Sequence, residues 1–75
     1  MTVFNLQKNQ SARITQMDVY GAPQRRLFSL GIVVGAKIKV ISFSLFKSAV
    51  LISCGAIRLS MRKDFAKLIR VDVCE

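Results

Sequence analysis

The chain has 75 residues, with 12 Lys plus Arg against 4 Asp plus Glu and no His, a formal net charge of +8, yet 52% of it is hydrophobic. That length holds one domain, spanning 1–75, whose core needs nearly every large apolar residue, which leaves little room for a deep substrate pocket. Such hydrophobicity excludes intrinsic disorder, and a bilayer span needs about 20 apolar residues in a row, more than Leu27–Ala36 or Ser48–Ile57 supplies.

The first ten residues, MTVFNLQKNQ, have no positive segment followed by an apolar run. No secretory signal is read there, and the expected location is the cytoplasm. Ser11–Asp18 alternates, with Ala12 and Ile14 on one face and Arg13 and Thr15 on the other, which predicts a strand whose pattern slips near Gln16–Met17. Gly21 and Pro23 punctuate the chain, and Ala22–Gly31 reads as a short helix. Pro23 suits its first turn, Leu27 and Leu30 share a face, and Gly31 fits the left-handed stop. Arg25 and Arg26 precede the leucines and carry charge on the helix.

Gly31–Gly35 reads as a turn in which Gly35 supplies a positive φ. In the strand Ala36–Phe43, Ile38 and Val40 alternate with Lys37 and Lys39. Continuing that phase puts Ile41 and Phe43 on the lysine side, so either the strand bends there or these residues are exposed. Ser48–Cys54 is apolar and β-branched, as in a buried strand, and Gly55 ends it. Ala56–Ser60 alternates, with Ile57 and Leu59 inward and Arg58 outward. Arg62–Lys67 is a helical turn, and Leu68–Val73 is a last strand with Ile69, Val71 and Val73 inward. Five short strands with one inserted helix and a helical turn before the last strand predict a mainly β chain. The expected shape is a small five-stranded SH3-like barrel, with an OB-like barrel as the alternative.

Catalysis has little to stand on. There is no His to act as general base, and Asp18, Asp64, Asp72 and Glu75 are scattered. No GxSxG, P-loop or dinucleotide-binding glycine pattern occurs, so the chain reads as a binding or regulatory module and not an enzyme. Cys54 and Cys74 read as a small buried residue and a tail thiol. With no His and no neighbouring second Cys, no zinc site, metal site or cofactor is expected.

The segment Arg26-Leu-Phe-Ser-Leu-Gly-Ile-Val-Val-Gly-Ala-Lys-Ile-Lys-Val40 resembles the signature of the FeoA family, small cytoplasmic accessory proteins of bacterial ferrous iron transport. Arg26, Leu27, Leu30, Gly31, Gly35, Ile38 and Val40 occupy the signature places. Ala56–Arg62 and Asp64–Val71 look like the family's later strands, so the likeness runs from about Ser11 to Val73. Val34 stands where the family often has Pro. The resemblance implies an SH3-like barrel that binds the membrane transporter FeoB, at or near its GTP-hydrolysing domain; the basic residues add an expectation of recruitment to the inner face of the membrane, by an acidic partner surface or the anionic leaflet. It implies neither metal binding nor catalysis by this chain.

Two groups of residues are candidates for the partner surface. One is basic and lies around the helix and second strand: Arg25, Arg26, Lys37 and Lys39. The other is apolar. Leu27 and Leu30 serve either as helix core or as anchors, and Ile41, Phe43, Leu45 and Phe46 form a run that strand phase cannot wholly bury. A homo-oligomer contact would also use that run. The competing function is a small basic barrel binding single-stranded nucleic acid, which the sequence pI of about 10.4 fits. Only Tyr20 and five Phe are available for base stacking, and the outward strand positions carry Lys and Arg, so nucleic acid ranks second.

Overall fold

The computed structural model describes residues 1–74. Five strands form one antiparallel sheet in the order β4-β3-β2-β1-β5. They are β1 (Ser11–Met17), β2 (Lys37–Phe43), β3 (Ala49–Cys54), β4 (Ile57–Arg62) and β5 (Ile69–Cys74). Helix α1 (Ala22–Ser29) joins β1 to β2, and the single turn α2 (Lys63–Ala66) joins β4 to β5. Every strand contributes to one core cluster: Ala12 and Ile14 from β1, Ile38 and Val40 from β2, Val50 and Ile52 from β3, Met61 from β4, Ile69 and Val71 from β5. The expected β fold and element order are thus present.

Two irregularities bend the strands. Against β5, the register of β1 passes from Ile14 to Gln16 with Thr15 left over, just ahead of the slip expected at Gln16–Met17. Against β3, β2 passes from Val40 to Ser42, so Ile41 is the extra residue. An extra residue in a ladder reverses the alternation beyond it and sharpens the local twist. Phe43 therefore pairs with Val50, which is buried, and packs against the core instead of facing out with the lysines.

Helix α1 begins and ends as its residues dictate. Gly21 caps it at φ 73° and Pro23 lies in its first turn. At the other end Gly31, at φ 83°, donates to the Phe28 carbonyl at 3.0 Å, and Ile32 donates to the Leu27 carbonyl at 2.9 Å. These are the paired bonds of a Schellman stop, which needs a left-handed residue after the last helical one. Leu27 and Ile32 are then buried together in the core.

The following loop closes with Ala36 donating to Val33 at 2.9 Å, around Gly35 at φ 93°. Gly35 also donates to the Ile14 carbonyl at 2.7 Å and accepts from Arg13 Nη1 at 2.7 Å, so the loop is tied to β1. A Cβ on Gly35 would meet no atom within 4 Å, so the requirement for Gly is conformational and not steric.

The first ten residues are part of the fold, which periodicity gave no sign of. A 3-10 turn over Val3–Asn5 puts Val3 and Leu6 wholly inside the core. The Met1 carbonyl accepts from the Val71 N–H at 3.0 Å, and Thr2 bridges Arg70, so this segment covers the outer edge of β5. An uncovered edge would offer unpaired N–H and C=O groups to other chains. Three details differ from expectation. β3 is not continuously buried: Val50 and Ile52 point inward, while Leu51 is half-buried on a face with no second layer. In β4, Ile57 and Leu59 keep their phase but are half-buried, and the buried residue is Met61. Val73 lies 39% exposed on the edge strand β5, although its ladder partner Ala12 is buried.

Two stability outcomes follow from this packing. Leu6→Ala removes a fully buried side chain and is expected to cost about 2–5 kcal/mol, lowering Tm by roughly 10 °C or more in a thermal melt. Gly35→Ala is expected to cost about 1–2 kcal/mol in urea denaturation through its left-handed backbone alone. Val34→Ala, on the exposed neighbour, should stay within about 0.5 kcal/mol.

Candidate protein-contact surfaces

The basic candidates lie in the open. Arg25 and Arg26 are exposed on α1, and Lys37 and Lys39 point outward from β2. Lys37 stands directly opposite Arg13 across the ladder, so three like charges share this outer face. Carboxylates are concentrated elsewhere. Asp18 pairs with Arg70 at 3.8 Å, and Asp72 faces Arg13 across the β1–β5 ladder. From Val19 to Lys63 the sequence has no acidic residue at all. The field over α1, β2, β3 and β4 is consequently positive.

The apolar candidates divide. Leu27 is 3% exposed and Leu30 packs against the core, so neither is a free anchor; both hold α1 onto the sheet. Ile41 is half-buried at the bulge. Phe43 is half-buried too, with its ring edge-on to Phe4 at 6.3 Å. Leu45 and Phe46 remain outside, 78% and 91% exposed. The expected run of four thus contracts to two residues at the β2–β3 tip, because the bulge turns Phe43 inward.

That tip is built at a conformational cost. Leu45–Lys47 forms a tight turn with Phe46 at φ 60° and Lys47 at φ 55°. The left-handed region disfavours residues with a Cβ by roughly 1–2 kcal/mol each. Ser44 and Ser48 brace the base: their hydroxyls lie 2.8 Å apart, Ala49 donates its N–H to Ser44 Oγ at 2.8 Å, and Lys47 donates to the Ser44 carbonyl at 2.8 Å. The Lys47 ammonium sits 4.5 Å over the Phe43 ring and 5.5 Å from the Phe4 ring.

A second apolar surface was not anticipated. Phe28 and Val34 are 72% and 60% exposed, and with Met17, Gln24, Ile32 and Val33 they line a shallow cleft of ≈ 270 Å³ between α1 and the loop that follows it. Tyr20, just ahead of the helix, is 74% exposed. The sequence did hold a signal for Phe28. Successive helix residues point about 100° apart, so a two-turn helix that commits Leu27 to the core turns Phe28 away from it.

Among the described residues no cluster of three or more His, Cys, Asp or Glu side chains could hold a metal ion, and no helix is long and apolar enough to cross a membrane. Both cysteines are free and half-buried.

The comparisons with known proteins agree with this geometry. No curated protein sequence matches the chain. Among solved structures, the FeoA protein of Chlorobium tepidum superimposes with a TM-score of 0.93 at 32% identity, over 100% of this chain and 71% of that one. Iron(II) transport protein A of Clostridium thermocellum gives 0.88 at 27% identity, over 97% of this chain and 45% of that one. FeoA of Stenotrophomonas maltophilia, solved with zinc and described as a prokaryotic SH3 domain protein, gives 0.79 at 29% identity, over 96% and 89%. The FeoA domain family model matches residues 1–73, and the chain belongs to the FeoA family.

Proposed function

We propose that this protein is an accessory factor of ferrous iron uptake that acts by contact with the membrane transporter FeoB. Membership of a family associated with ferrous iron transport supports this reading. The Stenotrophomonas maltophilia relative is described as a candidate activating factor of such transport. The observation that carries the contact role is the cleft beside α1. Phe28 and Val34 stand in solvent on its rim, inside the segment that carries the family signature. Exposed aromatic residues set around a concave apolar floor are the composition of protein-contact hot spots.

Arg25 and Arg26 on α1 and Lys37 and Lys39 on β2 add a positive rim, which favours an acidic partner surface and speeds association more than it adds affinity. This reading puts the chain at the cytoplasmic face of the membrane, where FeoB presents its GTP-hydrolysing domain. Leu27 and Leu30 act through the helix they hold and not by touching the partner.

Binding of the purified chain to FeoB in detergent or nanodiscs, at moderate salt, tests the proposal. Phe28→Ser is expected to lower affinity at least tenfold, about 1.4 kcal/mol, with Tm unchanged. No binding to either full-length FeoB or its cytoplasmic domain would overturn it.

A further inference from the structure

The transporter contact proposed above does not use the β2–β3 tip. The geometry points to this tip as a shallow anchor for an anionic lipid bilayer: Leu45 and Phe46 enter the interface while Lys47, Arg62, Lys63 and Lys67 meet lipid phosphates. It rests on the membrane-side setting proposed above and supplies the surface that would achieve it.

The apex comes first. Two consecutive large apolar side chains are 78% and 91% exposed at a convex turn, where an aqueous protein would place Asn or Gly. Phe46 and Lys47 both hold left-handed backbone, which the Ser44–Ser48 brace maintains. Sequence and backbone are thus both unfavourable in water, a combination that marks a site kept for contact. Shallow hollows flank the base of the tip, but Leu45 and Phe46 line neither of them, so the apex projects two side chains outward, which fits the first several ångströms of a headgroup region.

The collar of charge comes second. The Lys63 N–H donates to the Ser48 carbonyl at 3.0 Å, and Arg62 pairs with Ala49, so the start of α2 lies against the base of the tip. Lys47 and Lys67 converge on Phe4 from 5.5 and 5.1 Å, and Phe4 lies edge-on to Phe43 at the end of β2 that leads into the tip. Asp64 is the single carboxylate in this neighbourhood among the described residues, lining a shallow hollow with Ser48, Ala49, Arg62 and Lys63. Four cations against one carboxylate, at the base of an apolar apex, match an anionic leaflet, which attracts each nearby Lys or Arg by a comparable increment.

The placement is compatible with simultaneous transporter contact. The Gly31 carbonyl that ends α1 lies 3.8 Å from Cys54 Sγ at one end of β3, while the tip joins Ala49 at the other. The two surfaces are therefore separated by the length of that strand, roughly 17 Å.

Vesicle flotation tests the inference without the transporter. The intact chain should float with phosphatidylcholine vesicles containing phosphatidylglycerol and not with phosphatidylcholine alone, and rising salt should weaken it. The paired change Leu45→Ser and Phe46→Ser should cut partitioning at least tenfold, and Lys63→Glu severalfold, with Tm preserved in each. The chain has no Trp, so Phe46→Trp provides a single reporter. Its emission should shift to the blue on anionic vesicles and be quenched by bromine-labelled acyl chains. No flotation at low salt would overturn the inference. So would flotation unaffected by the double serine change, which means diffuse adsorption of a basic protein. A blue shift that tracks protein concentration without lipid would assign the tip to a second copy, and one appearing only with an acidic protein would assign it to that partner. Loss of FeoB binding with flotation intact would overturn the transporter contact and leave the lipid anchor standing.

Discussion

Two single-residue bulges, Thr15 in β1 and Ile41 in β2, decide the shape of this molecule. A chain of 75 residues has one small core, and a flat sheet would bury only one face of too few strands. Bending β1 and β2 lets all five strands turn their inward residues to the same cluster. The N-terminal turn adds Val3 and Leu6 and covers the edge of β5, and α2 adds Ala66 between β4 and β5. The core is consequently built from every part of the chain.

The same bends control what is left outside. Beyond Ile41 the alternation reverses, which draws Phe43 in and leaves Leu45 and Phe46 at the tip. At the other end of β3, the Schellman stop at Gly31 folds Ile32 under α1, and Phe28 and Val34 form the rim of a cleft. Charge follows a different logic. The described carboxylates sit just past β1, on α2 and on β5, while α1, β2 and β4 carry cations alone, so both apolar surfaces are set in positive potential. A greasy and basic composition thus resolves into a neutral interior, a cationic outer face and two local apolar excesses.

Much of this was legible in the residues. Alternation located four of the strands to within about two residues, because a half-buried ladder demands period two, and the apolar, β-branched run of Ser48–Cys54 located β3. Gly31 and Gly35 announced a helix stop and a turn, since only Gly accepts those backbone angles without strain. The signature from Arg26 to Val40 pointed to the FeoA family. The N-terminal segment was illegible because a single 3-10 turn has no period to detect; Val3 and Leu6 are identifiable as core only from where β5 and α2 lie.

Sequence alone therefore determined the five strands, the helix and the helical turn, their order, the net charge and the family, since each depends on local spacing or on composition. Tertiary structure alone decided which apolar side chains remain in water. Leu27 against Phe28, and Phe43 against Phe46, are neighbours of similar hydrophobicity. Their separation depends on how α1 is rotated on the sheet and on where one extra residue breaks a ladder, and both are set by packing against strands distant in the chain.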